Sequence, residues 1–148
     1  MIKNEDQYNL NLILQLIVVL ASVLGSLFFS EIMGYAPCNL CWYQRLCVYP
    51  MLFIIMTGLY LKSKDTVLFL LPFSVAGLLI STYHNLIYYK LITIIVPCSE
   101  SAPCTQQQLN WLGFVTIPLL SLVTFIVLFG LNIIAFSLLR KTKGLNEK

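Results

Sequence analysis

The sequence predicts an all-α fold, an integral membrane antiparallel four-helix bundle, and three observations carry that prediction. The 148 residues are 59% hydrophobic and only 10% charged, and the mean hydropathy of +0.85 is far above that of soluble domains. Four stretches contain no Asp, Glu, Lys or Arg: those between Asp6 and Glu31, Arg45 and Lys62, Asp65 and Lys90, and Glu100 and Arg140. Each holds an apolar run near the roughly 20 residues that cross a bilayer as a helix. Short connections then make consecutive helices antiparallel neighbours.

The first span is expected at about 12–29. A cleaved signal peptide is the other reading of this stretch. Glu5 and Asp6 dilute the positive start, the apolar run is long, and no small-residue cleavage site follows, so an uncleaved helix is expected. The second and third spans, at about 42–61 and 67–89, are joined by the short turn from Lys62 to Thr66. The fourth covers about 112–136, with Pro118 expected to kink it. Two longer loops remain, from about Ser30 to Cys41 and from Lys90 to Trp111, punctuated by Pro37, Pro97 and Pro103. Residues 1–148 form one domain without an internal repeat or low-complexity tract.

Orientation follows from the basic residues. Lys3, Lys62, Lys64, Arg140, Lys141, Lys143 and Lys148 fall on one side of a four-pass chain, and only Arg45 and Lys90 on the other. Both termini and the Lys62 turn are therefore expected to be cytoplasmic, and both longer loops extracytoplasmic. The net charge of +3 is a topology signal and gives a nucleic-acid partner no support.

Four of the five cysteines form two close pairs in the outer loops: Cys38 and Cys41 as C-x-x-C, and Cys98 and Cys104 as C-x5-C. The first spacing suits a redox-active dithiol or half a metal site. The outer side is oxidising, where disulfides form and persist. Cys41 leads into the second span, where a helix N-terminus favours a thiolate. Arg45, at i+4, lies one turn inward on the same face if the helix has begun. It can stabilise a thiolate and hydrogen-bond an acceptor beside it; the plainer reading is a side chain that snorkels to the headgroups.

Pro37, Cys38, Asn39, Leu40, Cys41, Trp42, Tyr43, Gln44 and Arg45 resemble the P-C-x-L-C-x-[YW]-x-R signature of the DsbB family of disulfide-bond formation proteins, closest to its short BdbB and BdbC branch. The segments from Gly25 to Ile32 and from Asn110 to Pro118 resemble the same branch. The resemblance implies a membrane thiol-disulfide oxidoreductase that reoxidises an extracytoplasmic thioredoxin-like oxidase, of the DsbA or BdbD kind, and passes electrons to a membrane quinone, menaquinone or ubiquinone. It implies two redox disulfides, Cys38–Cys41 and Cys98–Cys104. Cys41 would be the sulfur facing the quinone, with Arg45 beside it, and Cys98 the site of the mixed disulfide with the partner. Only five residues separate Cys98 from Cys104, where the long-loop branch carries a much longer insert.

The chemistry of the residues runs in the same direction. Closing the small ring between Cys98 and Cys104 stabilises by only roughly 2 kcal/mol, which suits an exchangeable disulfide better than a staple. No haem-attachment C-x-x-C-H exists, because Trp42 follows Cys41, and no nucleotide fingerprint is present. A lipid-soluble quinone is the simplest acceptor left. His84, the only histidine, lies about 8 Å below the outer surface at ~1.5 Å of rise per residue, a depth similar to that of Arg45. Two readings stand for it: a quinone-site or proton-shuttling residue, and a packed histidine bonded to a neighbouring helix.

Cys47 reads as a small core residue, and Trp42, Trp111, Tyr88 and Tyr89 as an interfacial belt. Trp111 and Phe114 are also within reach of a quinone ring in this reading, while Glu31 and Glu100 read as solvated loop charges. Two rivals remain: zinc held by Cys38, Cys41, Cys98 and Cys104, and a non-catalytic scaffold with two inert disulfides. Thiolates outside the cell are exposed to oxidation and Arg45 adds nothing that zinc needs, so no metal is expected.

Overall fold

A computed structural model of the chain describes residues 2–34, 37–91 and 116–146. Cys98, Cys104, Glu100, Trp111, Phe114 and the prolines Pro97 and Pro103 lie outside the described residues. Four helices make up the described fold: α1 (Ile2–Leu27), α2 (Asn39–Leu61), α3 (Thr66–Tyr88) and α4 (Ile117–Asn146). A π-helical turn, Phe28–Ile32, extends α1, and no strand occurs among the described residues. Four segments are long and apolar enough to cross a membrane: Asp6–Ile32, Asn39–Leu61, Thr66–Tyr88 and Ile117–Arg140. At ~1.5 Å per residue the 23 residues of α2 reach about 35 Å, enough for a hydrocarbon core of about 30 Å.

The helices pack as a ring. Each lies against its sequence neighbour, and α4 returns to pack on α1. The turn between α2 and α3 is tight: Lys62 takes a left-handed conformation (φ 49°), and the Ser63 N–H closes on the Gly58 carbonyl at 3.1 Å. The Tyr8 hydroxyl sits 3.3 and 3.2 Å from the Ser63 and Lys64 carbonyls, tying the start of α1 to that turn. The other end of the bundle therefore gathers the end of α1, the start of α2, the end of α3 and the start of α4.

Small residues set the close contacts, as expected where lipid leaves packing as the main cohesion. A Cβ on Gly77 would overlap the Phe125 ring, so this glycine lets α3 and α4 approach. A Cβ on Gly58 would overlap the Thr66 side chain at the α2–α3 contact. The interior combines apolar residues such as Leu12, Met51, Ile55, Leu70 and Phe125 with buried polar groups, among them Asn11, Gln15, Gln44, His84, Asn85 and Asn132. Large apolar side chains such as Ile17, Leu24, Phe53, Phe69 and Ile134 face outward, the arrangement a lipid environment requires.

Pro118 does not kink a span, contrary to the sequence expectation. It is the second residue of α4, where the backbone N–H has no helical partner to lose. Thr116 caps that end, accepting from the Leu119 N–H at Oγ1 (3.4 Å) and from the Leu120 N–H at its carbonyl (3.0 Å). Among the described residues the prolines in helix interiors are Pro50 in α2 and Pro72 in α3. Helix α1 starts well before residue 12, since a helix need not end where charges begin.

Candidate functional site

The site is built on the first turns of α2. Cys38 is the N-cap residue, in extended conformation (φ −70°, ψ 166°), and its sulfur accepts the Cys41 N–H at 3.3 Å. A cysteine replaces the usual Ser or Asp cap, so one of the unpaired amides of the helix end points at sulfur. The same turn brings Cys41 Sγ to 2.8 Å from Cys38 Sγ. A disulfide between them requires an approach of less than an ångström, to about 2.05 Å.

Two different surroundings meet at this pair. Cys38 is buried toward α3 with Leu40 and Ile87. Its sulfur lies 3.8 Å from His84 Nε2, and the other ring nitrogen, Nδ1, is 3.3 Å from Gln44 Nε2. His84 is thereby bonded to α2 from α3. Cys38 lies outside the spans, and its thiol pKa is lowered from the ordinary value. The hydrogen bond from the Cys41 thiol does most, burial opposes it, and His84 and the Cys41 amide add to the lowering. The Cys38 sulfur thus has both a backbone N–H and an imidazole beside it.

Cys41 packs partly against the same cluster and also lines a cavity of about 480 Å³ between α1, α2 and α4. Arg45, Gln44 and Tyr49 line it from α2, Ser26 from α1, Phe29 from the π-helical turn, and Thr124 and Phe125 from α4; His84 and Cys38 do not. Arg45 is fixed by α1. Its Nε donates to Ser26 Oγ (2.8 Å), its Nη2 donates to the Ser26 carbonyl (3.1 Å), and its guanidinium sits 5.4 Å from the Trp42 ring centroid. The π-helical turn begins two residues after Ser26, and its Phe29 and Ser30 line the same cavity.

Cys38, Cys41 and His84 also place three possible metal-ligand atoms within 4.8 Å of one another. Tetrahedral zinc with bonds of about 2.3 Å to sulfur would hold two sulfurs about 3.8 Å apart. At 2.8 Å, the pair fits disulfide formation better than zinc ligation. Cys47 is buried in the apolar core among Val48, Met51 and their neighbours, as expected of a packing residue.

Residues 8–135 match the family described as disulfide bond formation protein DsbB. The chain belongs to the DsbB family. It is 40% identical over 114 residues, 76% of this chain and 82% of the relative, to the disulfide bond formation protein C of Bacillus subtilis strain 168. It is 42% identical over 114 residues to the probable disulfide formation protein C of Halalkalibacterium halodurans, covering 76% and 83% of the two chains. The SPbeta prophage-derived disulfide bond formation protein B of Bacillus subtilis is 36% identical over 124 residues, 84% and 82% of the two. No solved structure gives a significant match. DsbB-family membership and four helices able to span a membrane make the chain a multi-pass membrane oxidoreductase of disulfide formation.

The sequence reading missed the roles of Gln44 and Ser26. Gln44 carried a signal, since a polar residue within a span faces the protein interior more often than lipid. Ser26 carried none: a serine in a helix commonly bonds its own preceding turn, as Ser22 does to the Val18 carbonyl at 2.7 Å.

Proposed function

We propose that this DsbB-family chain draws two electrons from an extracytoplasmic thioredoxin-like oxidase and delivers them to a membrane quinone through Cys98–Cys104 and then Cys38–Cys41. The observation that carries the reading is that Cys41, its sulfur 2.8 Å from Cys38, opens onto the same cavity as Arg45.

The cavity suits a quinone head group. Its volume of about 480 Å³ lies in the range of ligand sites, which is roughly 300–1,000 Å³, and its walls are mainly apolar with Phe29, Tyr49 and Phe125 among them. Arg45 supplies the cation and the hydrogen-bond donors that a quinone oxygen needs. A quinone bound there would supply a two-electron, two-proton acceptor.

The residues of the chain do the rest. The partner's thiolate attacks Cys98, opens the Cys98–Cys104 disulfide and leaves a mixed disulfide. The partner's second thiol resolves it, so the partner becomes a disulfide and Cys98 and Cys104 become a dithiol. Exchange with Cys38–Cys41 restores Cys98–Cys104 and moves the electron pair to the inner dithiol. Cys41 then faces the acceptor, and the two thiol protons leave with the two electrons when Cys38–Cys41 closes again. His84, 3.8 Å from the Cys38 sulfur, steadies the thiolate there, a role beside Cys38 rather than in the cavity wall.

The seven-to-two division of basic residues supports cytoplasmic termini and cysteine loops outside the plasma or inner membrane. A membrane-impermeant maleimide should label Cys98 or Cys104 in intact, reduced cells; labelling only after the membrane is opened would reverse the orientation. The function is tested by mixing the purified chain with a reduced thioredoxin-like oxidase and a quinone. Both catalytic turnover of the partner and the loss of quinone absorbance should vanish in Cys38→Ser, Cys41→Ser, Cys98→Ser and Cys104→Ser, and persist in Cys47→Ser. Full activity in Cys41→Ser would sink the electron path.

A further inference from the structure

We infer that Gln44 is a positioning residue of the inner cysteine pair: its side-chain amide fixes His84 as the Nε2-protonated neutral imidazole and so keeps an N–H aimed at the Cys38 sulfur. The inference rests on reading Cys38 and Cys41 as a redox pair.

Gln44 lies in the turn of α2 after Cys41 and is 8% exposed. Its Nε2 is 3.3 Å from His84 Nδ1. An amide nitrogen donates and cannot accept, so in this orientation of the amide Nδ1 is the acceptor. A neutral imidazole accepts at one nitrogen only, which puts its proton on Nε2, the nitrogen 3.8 Å from Cys38 Sγ. Gln44 and Cys38 thus face the two ring nitrogens, and His84 is 2% exposed, with little access for water to supply another partner.

The direction of this amide has chemical weight. Turned over, it would present its oxygen, require N–H at Nδ1, and leave Nε2 as an acceptor. His84 would then take a proton from a Cys38 thiol and could not donate to the thiolate. As it stands, His84 is a donor that favours the thiolate left when Cys38–Cys41 is reduced. Gln44 also lines the cavity, so one side chain borders both the space beside Cys41 and the imidazole that serves Cys38.

The chain has one histidine, which makes the test direct. The full chain, labelled with ¹⁵N-histidine and purified in detergent through a tag free of histidine, shows a single imidazole in long-range ¹⁵N–¹H correlation spectra. The expected pattern is Nε2–H. Gln44→Glu, whose carboxylate only accepts, should move the proton to Nδ1 or charge the ring, and Gln44→Leu should give a mixture. The pH midpoint of Cys38 alkylation in the reduced protein, followed by peptide mass, should rise by about one unit in Gln44→Leu, a ten-fold loss of thiolate stabilisation at the lower end for a hydrogen bond to a charged group. An Nδ1–H pattern in the unmodified sequence would overturn the inference without any variant having to fold. So would an unchanged tautomer and alkylation midpoint in both variants. Full activity in Cys41→Ser would instead remove the redox reading and leave the tautomer result standing.

Discussion

Arg45 is anchored on a neighbouring helix rather than free to reach the headgroups. Its two bonds to Ser26 restrain the guanidinium beside Cys41 at the cavity wall and leave further N–H donors on the fork. Arg45→Ala should raise the apparent Michaelis constant for quinone, lower turnover, or both, by on the order of ten- to a hundred-fold, the usual loss for a charged hydrogen bond. Thiol exchange between the partner and Cys98 should be nearly unchanged. Unchanged quinone kinetics with lost exchange would move Arg45 to docking. The lowered pKa of Cys38 has a pH signature. An ordinary thiol near 8.5 gains alkylation rate steadily from pH 6 to 8. Cys38 in the reduced protein is already thiolate across that window, so its rate should stay flat there and fall only at lower pH, as the sulfur protonates. A rate that climbs through pH 8 would contradict the arrangement around the sulfur.

At the scale of elements, the site depends on where helices begin and how closely they pack. Cys38 caps α2, and Thr116 caps α4, which starts one residue before Pro118. Asn85 Nδ2 donates to the Pro118 carbonyl at 2.7 Å and ties the end of α3, one residue past His84, to the start of α4. Gly77 sets the α3–α4 spacing against the Phe125 ring, which is also part of the cavity wall. Gly77→Ala should therefore destabilise the bundle by about 1–3 kcal/mol, the cost of overpacking, measured by reversible unfolding in mixed micelles. Phe125→Leu in the same chain should recover much of that loss. No loss in Gly77→Ala would mean the two helices are not in contact there.

For the whole molecule, the membrane sets what the sequence discloses. Four helices in antiparallel order were legible because burying charge in lipid is costly, so each gap between charges marks a helix. The position of Cys41 at the N-terminus of a helix and the one-turn spacing to Arg45 were legible from local periodicity. The side of Cys41 that meets Arg45 followed from the family resemblance, whereas the approach of Cys38 to His84 was not legible, because it depends on α3 arriving from a distant part of the chain. The kink expected at Pro118 failed for a local reason: apolar composition does not distinguish the first turn of a helix from its middle.

The central claim is that electrons from the partner leave through Cys41 into the cavity it shares with Arg45. Its most direct measurement is a limited-turnover reaction with a known amount of reduced thioredoxin-like oxidase, excess quinone and the purified chain, counting partner disulfides formed and quinone reduced under anaerobic conditions. One quinone reduced for each partner disulfide, with Cys41→Ser reducing none, is the predicted result. Partner oxidation without quinone reduction beyond the chain's own stoichiometric disulfides, or quinone reduction that survives in Cys41→Ser, would contradict it.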